Sequence, residues 1–387
     1  MQSVLDGEKE NEERLFRLIA EFPPNPWNIL AITFTNKAAG ELKERLKAML
    51  GDVADDINAG TFHSVCVRIL RRYIERLGYT SSFTIYDTDD SLRVIKDSLA
   101  DLNLSDKMFS PKMILSEISH SKDKMISPED YQNAAGDDYR TSTIAKVYAR
   151  YQNRLRSANA VDFDDLICLA VHLLEEYPDV LEYYQNRFRY ILVDEYQDTN
   201  QTQYRLVSLL AAKHQNLCVV GDDDQSIYRF RGATIENILS FENQFERATV
   251  IRLEQNYRST QNILDAANAV IANNFERKGK NLWTQNGEGD KVVVRRCADE
   301  GAEAELVAQE IIEHVKNGGT FSDHAVLYRM NAQSGTMERY FIRNAIPYRI
   351  IGGKKFFERK EIKDMLAYLS VINNPNDSCL LYTSRCV

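Results

Sequence analysis

Tyr190-Ile-Leu-Val-Asp-Glu-Tyr-Gln-Asp198 is the stretch that decides the fold. Its first half, Tyr190 to Val193, predicts a buried strand of a parallel sheet, and such strands deliver the residues just beyond them to the ligand crevice at their carboxyl ends. Those residues here are Asp194-Glu195. Adjacent carboxylates there suit a divalent metal held by one and a water activated by the other, a common arrangement in nucleotide hydrolysis. Taken alone, the pair also reads as a strand running into a solvated acidic turn, so the neighbouring segments carry the decision.

Upstream, Trp27 to Phe34 is an apolar, β-prone run, and Thr35-Asn36 caps a helix predicted to start at Lys37. Ala38, Leu42, Leu46 and Met49 are expected to face its core side. The loop carries Phe34 and Asn36 to the carboxyl end of the strand, where a ring stacks on a base and an amide reaches a phosphate. Phe34 by itself also fits a core position. A second strand-to-helix unit comes next at Ala59-Gly-Thr-Phe-His-Ser64, its helix burying Cys66, Ile69, Leu70, Tyr73 and Leu77. That helix shows Arg68, Arg71, Arg72 and Arg76 elsewhere, as phosphate contacts or as a solvated face.

From Ser81 to about Asn186 the sheet signal fades and helix starts multiply, predicting a helical insertion between strands of one sheet. Ser110-Pro111 and Ser127-Pro128 each place a capping hydroxyl before a proline suited to the first turn. Asp162-Phe-Asp-Asp-Leu166 reads as a helix start rich in carboxylates, favourable at the positive end of the dipole.

Downstream, Thr199 to Ala212 predicts a helix and Leu217 to Val220 another buried strand. It runs into Gly221-Asp-Asp-Asp-Gln-Ser-Ile-Tyr-Arg-Phe-Arg-Gly-Ala233, a mixture of acid, amide, aromatic and guanidinium groups that belongs at a site. Gln225 is able to bond a phosphate or orient water. Tyr228 and Phe230 alternate with Arg229 and Arg231, offering stacking faces and cations to a single strand. Thr249 to Leu253 predicts a strand, and after it Tyr257 is placed to stack on a base and Arg258 to neutralise charge on a phosphoryl group. A second β-then-helix succession completes the chain: strands at Val292 to Val294, Ala325 to Tyr328 and Tyr348 to Ile351, with helices at Ala302 to Lys316, Ser334 to Ala345 and Lys360 to Ile372.

With 387 residues, 44% of them hydrophobic, the chain is long enough for two or three domains. A formal net charge of -9 excludes a generally basic coat, so nucleic-acid binding has to come from local patches and stacking residues. The six cysteines show no metal-ligand spacing and read as reduced thiols. No apolar run reaches the about 18 residues of a membrane span, and Met1 to Glu13 is too acidic for a signal peptide, so a soluble intracellular protein is expected.

In this order the blocks resemble the UvrD/PcrA/Rep family of superfamily 1 DNA helicases. The segments that carry the likeness are Ala31 to Ala39, Gly60 to Ser64, Val193 to Asp198, Gly221 to Ala233 and Gln255 to Thr260, within a match from about Trp27 to Asp377. The fold implied is α/β: a RecA-like parallel-sheet domain at 27–80 and 187–256 with a helical insertion at 81–186, then the beginning of a second RecA-like domain at 257–377. Residues 1–26 stand as a charged extension ending in Pro23-Pro-Asn-Pro26, and 378–387 as a tail unlike the family. The resemblance implies ATP and Mg²⁺ as cofactors. Asp194 and Glu195 would hold the metal, Glu195 would activate water, Gln225 and Arg258 would contact the γ-phosphate, and Tyr257 would stack on adenine. Phe34, Asn36, His63, Tyr228, Phe230 and Arg231 would line the DNA track, with phenylalanine at 230 where relatives carry tryptophan.

The implied activity is ATP-dependent translocation 3′ to 5′ along single-stranded DNA, with unwinding at single-strand/duplex junctions in repair or replication. The protein would be cytoplasmic, bacterial and nucleoid-associated, with no membrane partner and with repair proteins left unidentified. One departure stands out: the chain contains no G-x-x-x-x-G-K-S/T phosphate loop, and Gly352-Gly-Lys-Lys355 lacks its spacing. The later motifs of the family are missing as well. The expectation is therefore an internal fragment, with Met1 an internal start, inactive as an ATPase on its own. Two alternatives stay open, a non-catalytic single-stranded-DNA-binding product and the helicase subunit of a helicase-nuclease.

Overall fold

The computed structural model describes residues 23–229, 232–245, 247–275, 277–351, 365–366, 368–369 and 372–374. The chain divides into two compact units, one running to Ile251 and including Glu276–Gly279 and the segment from Asp364, the other formed by Arg252–Phe275 and Lys280–Lys363.

The first unit opens with β1 (Ile29–Thr33), α1 (Asn36–Leu50), β2 (Asn58–Thr61) and α2 (Phe62–Tyr73). Thr35 and Thr61 cap the two helices by accepting from the Ala38 and Ser64 N–H groups at 3.1 and 3.3 Å. A largely helical stretch succeeds them, with β3 (Thr84–Ile85), α3 (Thr88–Asp101), α4 (Pro111–Asp123), α5 (Pro128–Ala134), α6 (Tyr139–Ser157) and β4 (Ala160–Val161). The chain then returns to the main sheet through α7 (Phe163–Glu176), α8 (Pro178–Arg187), β5 (Tyr190–Val193), α9 (Gln201–Ala211), β6 (Leu217–Val219), α10 (Glu236–Leu239) and α11 (Phe241–Gln244). The main sheet is parallel with order β2-β1-β5-β6, Ala31 pairing with Ala59 on one side and Leu192 on the other.

One face of that sheet, carrying Leu30, Ile32, Ile191 and Val193, closes a core against Phe62, Ile69, Leu166, Leu173 and Leu206 from α2, α7 and α9. The opposite face corrects the expectation of fully buried strands: Leu192 is 42% exposed, and Cys218 is exposed. Side chains alternate across a strand, so on β5 the helices of one face bury only every second residue, whereas β1 is buried on both faces from Leu30 to Thr33. Met49 is likewise 80% exposed rather than core-facing, and Leu42 and Leu46 are half-buried. Ser127 caps α5 in a reciprocal box with Asp130, as expected, but Ser110 makes no side-chain cap to α4.

The inserted helices have their own core around Tyr86, Ile95, Ile114, Val147 and Tyr151. A buried ion cluster joins them to the main sheet's helices. Lys122, 3% exposed, places Nζ 2.6 Å from Asp162 and 2.7 Å from Asp165, and the Tyr151 hydroxyl donates to Asp162 at 2.8 Å. Asp162 also caps α7 by accepting from the Asp165 N–H at 2.8 Å. Burial pushes the Asp162 carboxyl up, but the Lys122 ammonium outweighs it and holds it below the usual range.

The second unit holds β7 (Gln255–Asn256), α12 (Gln261–Ile271), β8 (Trp283–Thr284), α13 (Glu300–Lys316) and α14 (Ser334–Arg343). β7 and β8 pair in parallel, and Ala308, Ile311, Phe341 and Ile346 form a small core. The predicted strands at 292–294, 325–328 and 348–351 form no ladder among the described residues, nor does Thr249 to Leu253 in the run between the units. β-propensity describes fit to a pleated, half-buried surface, and without neighbouring strands these runs leave Val294 and Leu327 more than nine-tenths exposed. The last predicted helix falls partly outside the described residues, and 365–366, 368–369 and 372–373 are helical. Residues 1–22, Phe230, Arg231 and 378–387 lie outside the described residues. Among the described residues no helix is long and apolar enough to cross a membrane.

Candidate functional site

The carboxyl end of β5 is bonded to both neighbours. The Asp194 N–H donates to the Ile32 carbonyl at 2.9 Å, extending the β1 ladder, and the Tyr196 N–H donates to the Val220 carbonyl at 2.9 Å. Between them Glu195 takes φ 52°, a left-handed conformation that a residue with a Cβ adopts at a cost. Both carboxylates are exposed, and the Glu195 N–H donates to Asp194 Oδ1 at 3.0 Å.

Gln197, 1% exposed, links this corner to the next strand end. Its Nε2 donates to Glu195 Oε2 at 2.8 Å, and its Oε1 accepts from the Asp222 N–H at 2.9 Å. Asp222 in turn accepts from the Gln225 amide at 2.7 Å, where a 3-10 turn spans Asp223–Gln225. The residues singled out in sequence on β5 and after β6 are thus brought into one relay, Glu195 to Gln197 to Asp222 to Gln225. Sequence reasoning passed over Gln197 and Asp222. The available signal was a lone amide two residues past Glu195 in an otherwise acidic and aromatic turn. Asp223 and Asp224 serve the loop itself: Asp224 holds Arg277 in a two-pronged pair at 2.7 Å, and Asp223 accepts from the Lys278 N–H at 2.7 Å.

Of the residues assigned to a DNA track, Phe34 is half-buried with its ring edge-on to Phe62 at 5.4 Å, and Asn36 is exposed at the first turn of α1. Phe34 therefore serves the core and the strand end together. His63 stands at the start of α2, edge-on to Phe163 at 5.5 Å, and burial pushes its imidazole down, toward the neutral form. It lines a cavity of about 600 Å³ together with Phe163, Asp164, Asp123 and Asn200. Tyr228 is half-buried, its carbonyl accepting from the Ala233 N–H at 3.2 Å. The arginine face of α2 is mostly engaged within the protein. Arg71 donates to the Ser81 carbonyl and stacks on Phe83 at 3.8 Å, Arg72 donates to the Tyr183 hydroxyl at 2.6 Å, and Arg76 pairs with both Asp179 oxygens at 2.7 Å. All three remain on the surface, so a phosphate contact, one of the two sequence readings, would have to compete with these bonds.

In the second unit, Asn256 Oδ1 accepts from the N–H groups of Arg258 and Ser259 at 2.9 and 2.7 Å. This Asx turn at the end of β7 holds Tyr257 and Arg258 outward, Tyr257 being 78% exposed. The Tyr257 hydroxyl donates to Gln255 Oε1 at 2.9 Å, and its carbonyl accepts from the Asn286 amide at 3.1 Å.

Residues 12–246 match the UvrD/REP helicase N-terminal domain, and residues 251–383 match the UvrD-like helicase C-terminal domain. The chain belongs to the UvrD-like helicase family. It is 53% identical over 368 residues to proteins named ATP-dependent DNA helicase PcrA from Staphylococcus aureus and from Staphylococcus epidermidis, an alignment taking in 95% of this chain and 50% of each relative. The chain thus spans about half the length of the curated relatives it matches.

The acidic corner fits the Mg²⁺ that family membership implies. Asp194 and Glu195 are hard oxygen donors, the kind Mg²⁺ takes in ones and twos while keeping water and substrate phosphates as its other ligands. Nearby, Asp198 Oδ1 is buried without a hydrogen-bond partner among the described residues, and burial together with Glu195 pushes that carboxyl up to about 6. A cation at this corner would relieve that crowding.

Proposed function

We propose that this helicase-family chain carries part of the ATP- and DNA-contacting machinery of an ATP-dependent 3′ to 5′ DNA helicase acting on single strands and single-strand/duplex junctions. The relay that joins Glu195, Gln197, Asp222 and Gln225 is the observation that supports it best, because it holds a carboxylate and an amide in register at adjacent strand ends. In this reading Asp194 and Glu195 would hold Mg²⁺, which would supply charge neutralisation at the phosphates. Glu195 takes the proton of the attacking water, and Gln197 fixes its carboxylate for that task. Gln225 and Arg258 bond the γ-phosphate and Tyr257 stacks on adenine. Phe34, Asn36, His63, Tyr228, Phe230 and Arg231 grip unpaired DNA by stacking and charge. Residues 27–80 and 187–256 form the first RecA-like domain, 81–186 its insertion, and 257–377 part of a second. A role in repair or replication, in the cytoplasm at the nucleoid and with repair proteins as partners, accords with that chemistry.

No G-x-x-x-x-G-K-S/T loop occurs in the 387 residues, so the chain by itself lacks the amides and lysine that supply most triphosphate affinity. In this reading it binds single-stranded DNA weakly through its stacking residues and does not hydrolyse ATP appreciably by itself. Fluorescence anisotropy with a labelled oligonucleotide, alongside a DNA-stimulated ATPase assay, tests both parts. Salt-sensitive binding lost in Phe34→Ala and Tyr228→Ala supports the reading, and no binding at low salt removes it. Measurable ATPase from the purified chain would contradict the second part.

A further inference from the structure

The helical insertion meets the turn that carries Tyr228 at the Asp123 carboxylate. Asp123, the last residue of α4, accepts from the Asn200 amide at 2.5 Å through Oδ1, and its carbonyl accepts from the Thr202 hydroxyl at 3.0 Å. Its other oxygen lies against Gly232. A Cβ on Gly232 would stand 2.1 Å from Asp123 Oδ2 and 2.7 Å from its Cγ, so only glycine allows this approach, and φ 81° demands glycine independently. Gly232 belongs to the turn closed by the Gly232 N–H to the Arg229 carbonyl at 3.1 Å and the Ala233 N–H to the Tyr228 carbonyl at 3.2 Å. Beyond the turn, the Thr234 N–H donates to the Thr199 carbonyl at 2.9 Å, and the Asn237 amide donates to the Thr199 and Asn200 carbonyls at 3.1 and 3.3 Å. Thr199 and Asn200 directly follow the acidic segment that ends at Asp198.

We propose that Asp123 is a positioning residue: through Asn200 and Gly232 it seats the Tyr228 turn, so that the insertion sets how tightly this turn grips an unpaired strand. This rests on the reading that Tyr228 contacts DNA. A side chain held on one oxygen by an amide and backed on the other by a glycine Cα cannot shift without moving one of them, which makes it a rigid strut rather than a surface charge. The site keeps this group despite an unfavourable setting, since burial and the neighbouring Asp164 push the Asp123 carboxyl up to about 7.

The test uses the 387-residue chain and a labelled single-stranded oligonucleotide at low salt, with urea unfolding to verify that each variant is folded. Asp123→Ala should weaken binding about fivefold. Asp123→Asn keeps the acceptor for Asn200 and the shape beside Gly232, and should stay within about twofold of the wild type. The double variant Asp123→Ala/Tyr228→Ala should bind no more weakly than Tyr228→Ala alone, because a strut that acts through Tyr228 has nothing left to position. Should Asp123→Ala fail to fold, Gly232→Ala displaces the same contact from the other side and should weaken binding likewise. Wild-type affinity in Asp123→Ala or Gly232→Ala, or additive losses in the double variant, overturns the proposal while Tyr228→Ala still weakens binding. If Tyr228→Ala has no effect, the DNA-contact reading falls and this inference falls with it.

Discussion

Gln197 and Glu195 stand two residues apart in sequence and 2.8 Å apart through an amide-to-carboxylate hydrogen bond, with the same Gln197 side chain accepting from the Asp222 backbone. Glu195 itself stands in a left-handed turn, φ 52°, just past β5, and the bond forms across that turn. An amide is the side chain that donates to a carboxylate at one end and accepts from an N–H at the other.

Gln197→Ala should lower the unfolding free energy by about 1–3 kcal/mol, because it strips the part-buried Asp222 N–H and the Glu195 carboxylate of their shared partner. Gln197→Glu should be at least as damaging, since it sets a second carboxylate against Glu195. Urea unfolding of both variants checks this, and a Gln197→Ala midpoint equal to the wild type would show that water replaces the amide without loss.

Lys122→Ala leaves Asp162 and Asp165 buried without their cation. A loss of about 3–5 kcal/mol is expected, the range for breaking one side of a buried ion pair. Adding Asp162→Asn and Asp165→Asn to Lys122→Ala should return part of it, as the stranded charges are removed. Thermal unfolding of the single and triple variants decides.

Two glycine substitutions should act in opposite directions. At Gly221 a Cβ would approach Gln197 Oε1 and Ile238 Cδ1 at 2.7 Å, so Gly221→Ala should destabilise by about 1–3 kcal/mol. Gly40 lies inside α1 with nothing within 4 Å of an added Cβ, so Gly40→Ala should stabilise by about 0.5–1 kcal/mol. Equal midpoints for the two variants would refute the contrast.

Stability should fall as pH rises through neutrality, in part because of Asp123. Its carboxyl is pushed up to about 7, above the unfolded value of about 3.9, by burial and by Asp164, against which Asn200 and Lys124 act. A raised pKa means that the folded protein binds the proton more tightly. That contribution is complete below the unfolded pKa and is lost as pH climbs through the folded one. Asp123→Asn, which cannot ionise, should gain stability relative to the wild type between about pH 5 and about pH 8, read by urea unfolding across that range. A constant difference across the range would remove Asp123 as the source.

Arg72→Ala and Arg76→Ala should leave DNA affinity within about twofold of wild type. Their guanidinium groups are held by Tyr183 and Asp179, so phosphate contacts would require breaking those bonds. A large loss in either variant, with the fold intact, would return the α2 face to the DNA track.

Local chemistry made much of this protein readable. Strand-to-helix units at Ile29–Leu50 and Asn58–Tyr73, their threonine caps and the helical character of the insertion arise from short-range patterns that each segment carries within itself. Asp194, Glu195 and Gln225 stood out because carboxylates and amides after apolar strands have no place in a core. The runs at 292–294 and 325–328 read as strands and form no ladder among the described residues, since a strand exists only with a partner and the partner is not written in the run itself.

The sequence by itself determined which segments become elements and which residue types stand at strand ends, because caps, alternation and turn residues act over a few positions along the chain. Tertiary structure alone decided that Gln197 bridges Glu195 to Asp222, that Asp123 reaches Asn200 and Gly232 across 77 residues or more, and that Arg72 and Arg76 meet Tyr183 and Asp179 on the surface. Those contacts depend on where distant segments come to rest once a shared core has closed, and no local pattern encodes that distance.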